Sequence, residues 1–450
     1  MTARVSVPDT AAADGIVGPA ASLRGALRVP ADKSVAHRAL LFNAMGHGSA
    51  EIRLHRPGQD VLSTAAVLRA LGAVEAIETN HDEATTVVVK GGGTAGTARL
   101  PGGGDETLDC GNAGTAMRLL MGALAGRPTT ATLTGDASLS ARPMERVAVP
   151  LRAAGAEVAT TNGHAPVHVE GHAPLRAVEH RISVASAQVV GCLTMAGLAA
   201  DGDTTISVPG PTRDHSERML GWLGAPVRRD GLTTTVSGPA GFEARSMTVP
   251  GDISSAATWL VAGALHPSAE IRLEDVGLNP TRVGVIEVLR EMGADIEVQA
   301  DGTITDCPEP VGTVTVRGGR RLQAIHIDGD RVADIIDELP LIGVAMAAAE
   351  GRSELRDAGE LRVKESDRIA LVVENLAAIG ATVEERPDGW AVSRGMPRAA
   401  DVRTAGDHRI AMSFAIAALT GVAGIVHLDD PGCAAVSYPG FWTDLDTLAR

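Results

Sequence analysis

A helix-to-strand motif that recurs along the chain is the feature that most limits its fold. Each copy ends an amphipathic helix with Gly-Ala and continues into an alternating strand, as in Val288-Leu-Arg-Glu-Met-Gly293-Ala-Asp. Glycine adopts the left-handed conformation that ends a helix, which explains its place in the motif. The glycines lie 69 to 87 residues apart, at Gly72, Gly155, Gly224, Gly293 and Gly380. Such junctions occur in many α/β proteins, but a repeat this long and regular indicates a whole α/β subdomain, with residues 444–450 as a truncated sixth copy.

A second, more apolar helix is predicted before most of these copies. Small residues on every face indicate that these helices are buried all round. They are predicted over residues 35–45, 113–125, 187–199, 254–265, 335–349 and 408–419. The sequence therefore predicts six units of mixed sheet, each with one buried and one outer helix, grouped in threes.

Composition excludes several classes of protein. A length of 450 residues predicts two or three domains. The net charge of −15 and the scarcity of aromatic residues argue against nucleic-acid binding. No apolar run is long enough to span a membrane, and residues 1–20 are expected to form a loose extension rather than a targeting segment. Four scattered cysteines are typical of reduced thiols, so we expect a cytoplasmic protein.

Basic residues stand where several helices are predicted to begin. The N-terminal end of a helix is the positive end of its dipole, so a cation there is unfavourable unless an anion binds at that end. Five segments have this character: Asp32-Lys33-Ser34-Val35-Ala36-His37-Arg38, Ala141-Arg142-Pro143, Thr212-Arg213-Asp214-His215, Arg362-Val363-Lys364-Glu365-Ser366-Asp367-Arg368 and Asp407-His408-Arg409. They predict a site that collects several negative charges of a small ligand.

Other candidate residues each have a structural alternative. The turn Gly111-Asn-Ala-Gly114-Thr either cradles an anion or is simply tight. Ser186-Ala187-Gln188 either caps a buried helix or points a hydroxyl and an amide at a ligand. Asp337 and Glu365 are candidate proton carriers, with a helix cap and a salt bridge as their alternatives.

Two further groups are judged to be structural. His164, His168 and His172 have the spacing of a helical metal site, but Pro166 and the alternating pattern predict a strand, so no metal site is expected. Cys110 is expected to be a buried thiol rather than a nucleophile.

On these motifs the chain resembles the 5-enolpyruvylshikimate-3-phosphate synthase family from about residue 22 to its C-terminus. The motifs that carry the resemblance are Asp32-Lys-Ser-Val-Ala-His-Arg38, Gly111-Asn-Ala-Gly-Thr115, Ala141-Arg-Pro-Met144, Ser186-Ala-Gln188, Thr212-Arg-Asp-His215, Leu361-Arg-Val-Lys-Glu-Ser-Asp-Arg368 and Asp407-His-Arg-Ile-Ala411. The resemblance implies an α/β, two-domain enolpyruvyl transferase-like fold, an inside-out α/β barrel with three units per domain. The implied domains are residues 32–250 and residues 1–31 plus 251–450, joined by two chain crossings.

The resemblance also implies a reaction. Phosphoenolpyruvate would donate its enolpyruvyl group to the 5-hydroxyl of shikimate-3-phosphate and release phosphate, on the route to chorismate and the aromatic amino acids. No cofactor or metal is expected, a monomer is expected, and domain closure would exclude water. The phosphoenolpyruvate site would comprise Lys33, Gly114, Arg142, Gln188, Arg368 and Arg409. The shikimate-3-phosphate site would comprise Lys33, Ser34, Arg38, Ser186, Ala187, Gln188, Arg213, Asp337 and Lys364.

Three residues are implied to be catalytic. Asp337 would accept the proton of the attacking hydroxyl, and Glu365 would deliver and remove protons at the methylene, assisted by Lys33. Val436 stands where many members of the family have Lys, and Leu119 where many have Pro; both are typical of the divergent bacterial branch that includes glyphosate-tolerant enzymes. Gly114, however, is the residue of sensitive members.

Two other functions remain open at this point. One is the related transferase that acts on a UDP-amino sugar, although that family has Lys-Asn where this chain has Lys33-Ser34, and lacks Lys-Glu-Ser-Asp-Arg. The other is a non-catalytic anion-binding protein, against which the retained Asp337 and Glu365 argue.

Overall fold

The structure, a computed structural model, describes residues 14–80, 83–94, 96–101, 105–300 and 306–449. The α-helices within these ranges are α1 Lys33–Met45, α2 Gln59–Ala70, α3 Gly114–Ala125, α4 Ala137–Ser140, α5 Glu145–Ala153, α6 Ala187–Gly197, α7 His215–Trp222, α8 Ile253–Leu265, α9 Gly284–Glu291, α10 Arg331–Ile335, α11 Leu339–Ala348, α12 Arg368–Ala378, α13 His408–Leu419 and α14 Phe441–Leu448. Within the same ranges, 3₁₀ helices cover Gly359–Val363 and Pro431–Val436.

The strands within the same ranges are β1 Ile16–Val17, β2 Leu23–Arg28, β3 Ser49–His55, β4 Val74–Thr79, β5 Ala84–Lys90, β6 Asp105–Asp109, β7 Thr129–Thr134, β8 Glu157–Thr161, β9 His164–Gly171, β10 Glu179–Arg181, β11 Asp203–Ser207, β12 Val227–Asp230, β13 Thr233–Ser237, β14 Met247–Thr248, β15 Ala269–Gly277, β16 Asp295–Ala300, β17 Val311–Arg317, β18 His326–Ile327, β19 Arg352–Leu355, β20 Thr382–Arg386, β21 Gly389–Ser393, β22 Ala400–Val402 and β23 Val426–Leu428.

Six sheets with nearly the same topology confirm the predicted repeat. In each four-stranded sheet one pair is parallel and the next two pairs are antiparallel, and the sixth sheet has three strands. The strand orders are β14-β3-β5-β4, β6-β7-β9-β8, β10-β11-β13-β12, β16-β17-β15-β2, β18-β19-β21-β20 and β1-β23-β22. All five repeat glycines have positive φ, between 73° at Gly72 and 103° at Gly293 and Gly380, as their place after a helix requires.

The predicted buried helices also form, with one exception in their extent. Nearly every residue of α1, α3, α6, α8, α11 and α13 is buried. The single helix predicted over residues 335–349 is wrong, because a turn at residues 336–338 separates α10 from α11. Pro340 lies in the first turn of α11, and proline has no N–H to donate to the carbonyl of Ile336, as a continuous helix would require. Asp337 lies in this turn.

The described residues divide into two compact units, each with its own apolar core. The N-terminal unit contains residues 31–250 and 306–309, and the C-terminal unit contains residues 14–30, 251–300 and 310–449. The core of the N-terminal unit surrounds α1, α3 and α6, and the core of the C-terminal unit surrounds α8, α11 and α13. Among the helices described, none is both long and apolar enough to cross a membrane.

Two stretches differ from the sequence-based expectations. Ile16–Val17 form β1, which pairs antiparallel with β23, so the loose extension expected over residues 1–20 is wrong for these residues; residues 1–13 lie outside the described ranges. Residues 306–309, expected in the second domain, belong to the N-terminal unit. There the Thr248 hydroxyl donates to Asp306 Oδ2 at 3.1 Å, and Cys307 packs in the core.

Candidate active site

The first cations of the N-terminal unit lie on α1. Asp32 caps this helix by accepting the N–H of Val35 at 2.9 Å. Lys33 Nζ donates to Asp60 Oδ2 on α2 at 2.8 Å. This carboxylate holds the ammonium group at the helix start. Asp60 was not among the residues predicted from sequence.

Arg38 is a buried cation whose hydrogen-bond partners are neutral. Its Nε donates to Ser216 Oγ at 2.8 Å, and its Nη1 donates to the carbonyl oxygen of Ser34 at 2.9 Å. Burial lowers the pKa of Arg38 to about 10, although Glu217 opposes this shift, so the guanidinium stays charged at neutral pH. Burial lowers the pKa of the neighbouring His37 to about 3, which leaves that ring neutral. Arg38 therefore carries a positive charge suited to an anion.

Gly114 is the first residue of α3 and lies between two guanidinium groups. A Cβ atom built on Gly114 would lie 3.1 Å from Nη1 of both Arg118 and Arg142. Arg142 Nη2 donates to Asn112 Oδ1 at 2.6 Å. Arg142 does not begin a helix, contrary to the expectation, because it lies between the end of α4 and the start of α5. A side chain at this position would therefore crowd both cations.

Gln188, near the start of α6, is held by groups on α3. Arg118 Nη1 donates to Gln188 Oε1 at 2.7 Å, and Gln188 Nε2 donates to Thr115 Oγ1 at 3.0 Å. Ser186 occupies the N-cap position of α6, but its side chain makes no capping hydrogen bond. The capping alternative is therefore wrong for the Ser186 hydroxyl. Ala187 is the first residue of α6, and half-buried Arg213 lies just before α7.

In the C-terminal unit, the carboxylate of Asp337 lies beside two cations. Its Oδ1 is 3.4 Å from Lys364 Nζ and 3.6 Å from Arg368 Nη1. Asp337 is not the cap of α11. Glu338 occupies the N-cap position of this helix, and Leu339 is its first helical residue. The helix-cap alternative for Asp337 is therefore wrong, and its carboxylate faces cations instead.

Arg368, the first residue of α12, is the most enclosed cation of this group. Its side chain is 2% exposed; Nη2 lies 2.8 Å from Glu365 Oε2 and Nε lies 2.8 Å from Asp407 Oδ2. Burial alone would lower the pKa of Arg368, but Asp407, Glu365 and Asp337 together raise it above its ordinary value. The salt-bridge alternative for Glu365 is thus realised, and the Glu365 side chain as a whole is 22% exposed.

Asp407 also orients Arg409 at the start of α13. Its Oδ1 accepts the N–H of Arg409 at 2.9 Å, and Arg409 Nη1 lies 3.4 Å from the carbonyl oxygen of Ser254. Burial would raise the pKa of Asp407, yet Arg368 and His408 lower it below its ordinary value. Four of the five basic segments contain the first residue of a helix, namely α1, α7, α12 and α13. In three of them an aspartate caps the helix, which the dipole argument did not anticipate.

The structure separates the predicted site residues into two groups, one in each unit. The N-terminal unit holds Lys33, Ser34, Arg38, Gly114, Arg142, Ser186, Ala187, Gln188 and Arg213. The C-terminal unit holds Asp337, Lys364, Glu365, Arg368 and Arg409. Val436 ends a 3₁₀ helix of the C-terminal unit and is half-buried.

The remaining sequence candidates have structural environments. His164 and His168 lie on β9, as the alternating pattern predicted. Cys110 is buried, and burial raises the pKa of its thiol to about 12, which makes it a poor nucleophile at neutral pH.

Comparison with known proteins identifies one family. The family model described as EPSP synthase (3-phosphoshikimate 1-carboxyvinyltransferase) matches residues 17–445. The chain is 47% identical to the 3-phosphoshikimate 1-carboxyvinyltransferase of Gloeobacter violaceus, over 95% of this chain and 97% of that one. The corresponding protein of Geobacillus kaustophilus is 45% identical over 95% and 98% of the two chains.

Solved structures agree with these sequence relatives. EPSP synthase from Acinetobacter baumannii superposes with a TM-score of 0.81 at 38% identity, covering 96% of this chain and 97% of that chain. The enolpyruvyl transferase NikO from Streptomyces tendae, at 20% identity and a TM-score of 0.74, shares the fold. The chain therefore belongs to the EPSP synthase family.

Proposed function

We propose that the basic residues at the helix N-termini of both units bind the two anionic substrates of this family. The chain transfers the enolpyruvyl group of phosphoenolpyruvate to shikimate-3-phosphate, a step of aromatic amino-acid biosynthesis. Each substrate carries a phosphate and a carboxylate, and together they bring about five negative charges, which require charge-assisted partners. The observation that carries the proposal is the buried Arg38, a charged guanidinium that donates to neutral oxygens of Ser216 and Ser34 among the described residues.

Phosphoenolpyruvate is assigned to Lys33, Gly114, Arg142, Gln188, Arg368 and Arg409. The absence of a side chain at Gly114 supports the assignment, because a methyl group there would crowd Arg142. Buried guanidiniums held by carboxylates, such as Arg368, keep a fixed geometry for bidentate contacts to phosphate or carboxylate. Val436 supplies no cation, so this chain binds phosphoenolpyruvate with one positive charge fewer than relatives with Lys there.

Shikimate-3-phosphate is assigned to Lys33, Ser34, Arg38, Ser186, Ala187, Gln188, Arg213, Asp337 and Lys364. The uncapped N-terminus of α6 supports this assignment, because free N–H groups at a helix start are suited to a phosphate. The hydroxyl of Ser186, which makes no capping bond, adds a donor at the same end of the helix.

Proton transfer is assigned to Asp337 and Glu365, with Lys33 assisting. The 5-hydroxyl oxygen attacks C2 of phosphoenolpyruvate while Asp337 accepts the hydroxyl proton and Glu365 protonates the C3 methylene. Elimination then removes a proton from the resulting methyl group to Glu365 as phosphate leaves the tetrahedral intermediate. Glu365 fits both steps, because its Oε2 lies 2.8 Å from Arg368 Nη2 while its side chain is 22% exposed.

The two functions left open by the sequence are less well supported. The family match covers residues 17–445 and names the shikimate enzyme rather than the UDP-amino sugar transferase. Release of inorganic phosphate from phosphoenolpyruvate and shikimate-3-phosphate tests the activity directly. Turnover with UDP-N-acetylglucosamine instead, or binding of both anions without phosphate release, would contradict the proposal.

Replacing Arg213 by alanine tests the shikimate-3-phosphate site. A hydrogen bond to a charged group contributes about 1.5–3 kcal/mol, so the KM for shikimate-3-phosphate should rise roughly 10- to 150-fold. The KM for phosphoenolpyruvate should change less than about threefold. Arg218→Ala is the matched control, because Arg218 lies on the adjacent α7 and pairs with Asp214 at 2.8 Å. Equal effects of the two substitutions would remove Arg213 from the site.

Replacing Gly114 by alanine should weaken glyphosate more than phosphoenolpyruvate. The added methyl group meets Arg118 and Arg142 at 3.1 Å, so both guanidiniums must move by a few tenths of an ångström. Crowding of this kind costs about 1–3 kcal/mol, which predicts an inhibition constant at least about fivefold higher. Steady-state inhibition assays against phosphoenolpyruvate measure both constants. Equal losses for inhibitor and substrate would contradict the prediction.

The proposal also covers the compartment and the oligomeric state of the protein. We propose a cytoplasmic monomer, supported by four buried free cysteines. Nucleic acid is not proposed as a partner, because the net charge is −15. The assigned mechanism uses protein side chains and substrate groups, without cofactor or metal.

A further inference from the structure

A buried charge network adjoins the turn that carries Asp337 in the C-terminal unit. Arg282 is 2% exposed and Glu338 is fully buried. Arg282 Nη2 donates to Ser254 Oγ at 2.7 Å, and the Ser254 hydroxyl in turn donates to Glu338 Oε1. Glu338 directly follows Asp337, so the network ends one residue from the proposed proton acceptor.

Two carboxylates lie beside the Arg282 guanidinium. Arg282 Nη2 lies 3.4 Å from Asp252 Oδ1 and 3.8 Å from Glu338 Oε1, so two carboxylates share one guanidinium. Glu338 Oε2 is buried and has no hydrogen-bond partner within the described ranges. Burying such groups is costly, and apolar replacements of similar volume are often as stable. Costly local arrangements of this kind concentrate at functional sites.

The network restrains the turn from three directions. The N–H of Glu338 donates to the carbonyl of Ile335 in α10 at 2.9 Å, and its own carbonyl accepts the N–H of Ile342 in α11 at 2.9 Å. The side chain of Glu338 is bound to Ser254 in α8. With its neighbour fixed at backbone and side chain, Asp337 has little freedom to leave Lys364 and Arg368.

We propose that Arg282, Ser254 and Glu338 form a positioning network that holds Asp337 in place to accept the hydroxyl proton. The inference rests on the role proposed for Asp337. The three residues act through Asp337, so their loss affects the chemical step more than substrate binding. Misplacement of a reacting group by about 1 Å can lower a rate about a hundredfold.

Ser254→Ala and Glu338→Gln test the proposal with little change of volume. Each should lower kcat about 10- to 100-fold while the KM values and the calorimetric affinity for shikimate-3-phosphate change less than about threefold. Ser255→Ala is the matched control, because Ser255 is the next residue of α8 and is also buried. It should keep the wild-type kcat.

A double substitution separates positioning from a general structural role. When Glu338→Gln is added to Asp337→Ala, kcat should fall no further, because residues that act as a unit are non-additive. An additive loss would overturn the inference, as would wild-type kcat in Ser254→Ala. If Glu338→Gln fails to fold, Ser254→Ala alone decides, since it removes only one hydroxyl. Wild-type turnover by Asp337→Ala would instead refute the proposed role of Asp337 itself.

Discussion

Replacing Glu365 by glutamine is expected to lower kcat by about 10²- to 10⁴-fold, the usual contribution of a positioned general acid–base group. Glutamine keeps the shape of the side chain, but it can neither deliver nor remove a proton. Asp337→Ala should have a loss of similar size for the acceptor of the hydroxyl proton. Both variants should still bind shikimate-3-phosphate, because every cation assigned to it is unchanged.

Single-turnover phosphate release and calorimetric binding separate these effects. Glu360→Gln is the matched control, because Glu360 is an exposed acid on the 3₁₀ helix that leads to Glu365. It should keep the wild-type rate. Near-wild-type rates in both Asp337→Ala and Glu365→Gln would show that the proton carriers are other residues.

Replacing Asp407 by asparagine is expected to destabilise the C-terminal unit by about 3–5 kcal/mol, because it leaves the buried Arg368 without its most enclosed counter-charge. Asp407 is 0% exposed and contacts Arg368 through both carboxylate oxygens, at 2.8 and 3.2 Å. Asparagine can still cap α13, so the loss arises mainly from the charge. Urea unfolding followed by tryptophan fluorescence measures it, since Trp259, Trp390 and Trp442 all lie in this unit.

The same pair predicts how stability depends on pH. The folded pKa of Asp407 is lowered, so its contribution is fully present above the unfolded pKa of about 4 and is lost as pH falls through the lower folded pKa. The difference between wild type and Asp407→Asn should therefore be constant near neutral pH and shrink below about pH 4. Asp401→Asn, whose side chain is 95% exposed, should change stability by less than about 0.5 kcal/mol. A difference that grows on acidification would contradict the assignment.

The repeat was predictable from sequence because its signal is local. A glycine after an amphipathic helix has one strong conformational reason to recur, and all five repeat glycines do adopt positive φ. The buried helices were predictable for the same reason, since small apolar residues on every face leave no solvent side. The break before α11 was missed because residues 335–349 are mostly apolar, although Asp337, Glu338 and Pro340 interrupt the pattern where the turn lies.

The partners of the site residues could not be predicted. Asp60 lies 27 residues from Lys33, Gln188 lies 70 residues from Arg118, and Glu338 lies 84 residues from Ser254. The sequence around a single acid or amide does not indicate which cation that residue contacts in the folded protein. The cations themselves were recognisable because they stand at helix starts, where local electrostatics makes them unusual. The assignment of each cation to a substrate remains a prediction.

Residues 306–309 belong to the N-terminal unit although they follow residue 250, and this has a consequence for dividing the protein into fragments. Glu309 Oε1 lies 2.7 Å from His215 Nδ1, and both side chains are almost completely buried. A fragment that ends at residue 250 would lack Glu309 and leave that imidazole in the interior without its carboxylate. A fragment that begins at residue 251 would lack β2, which pairs in parallel with β15. Split-protein complementation or domain grafting must therefore transfer both short segments along with the main part of each unit.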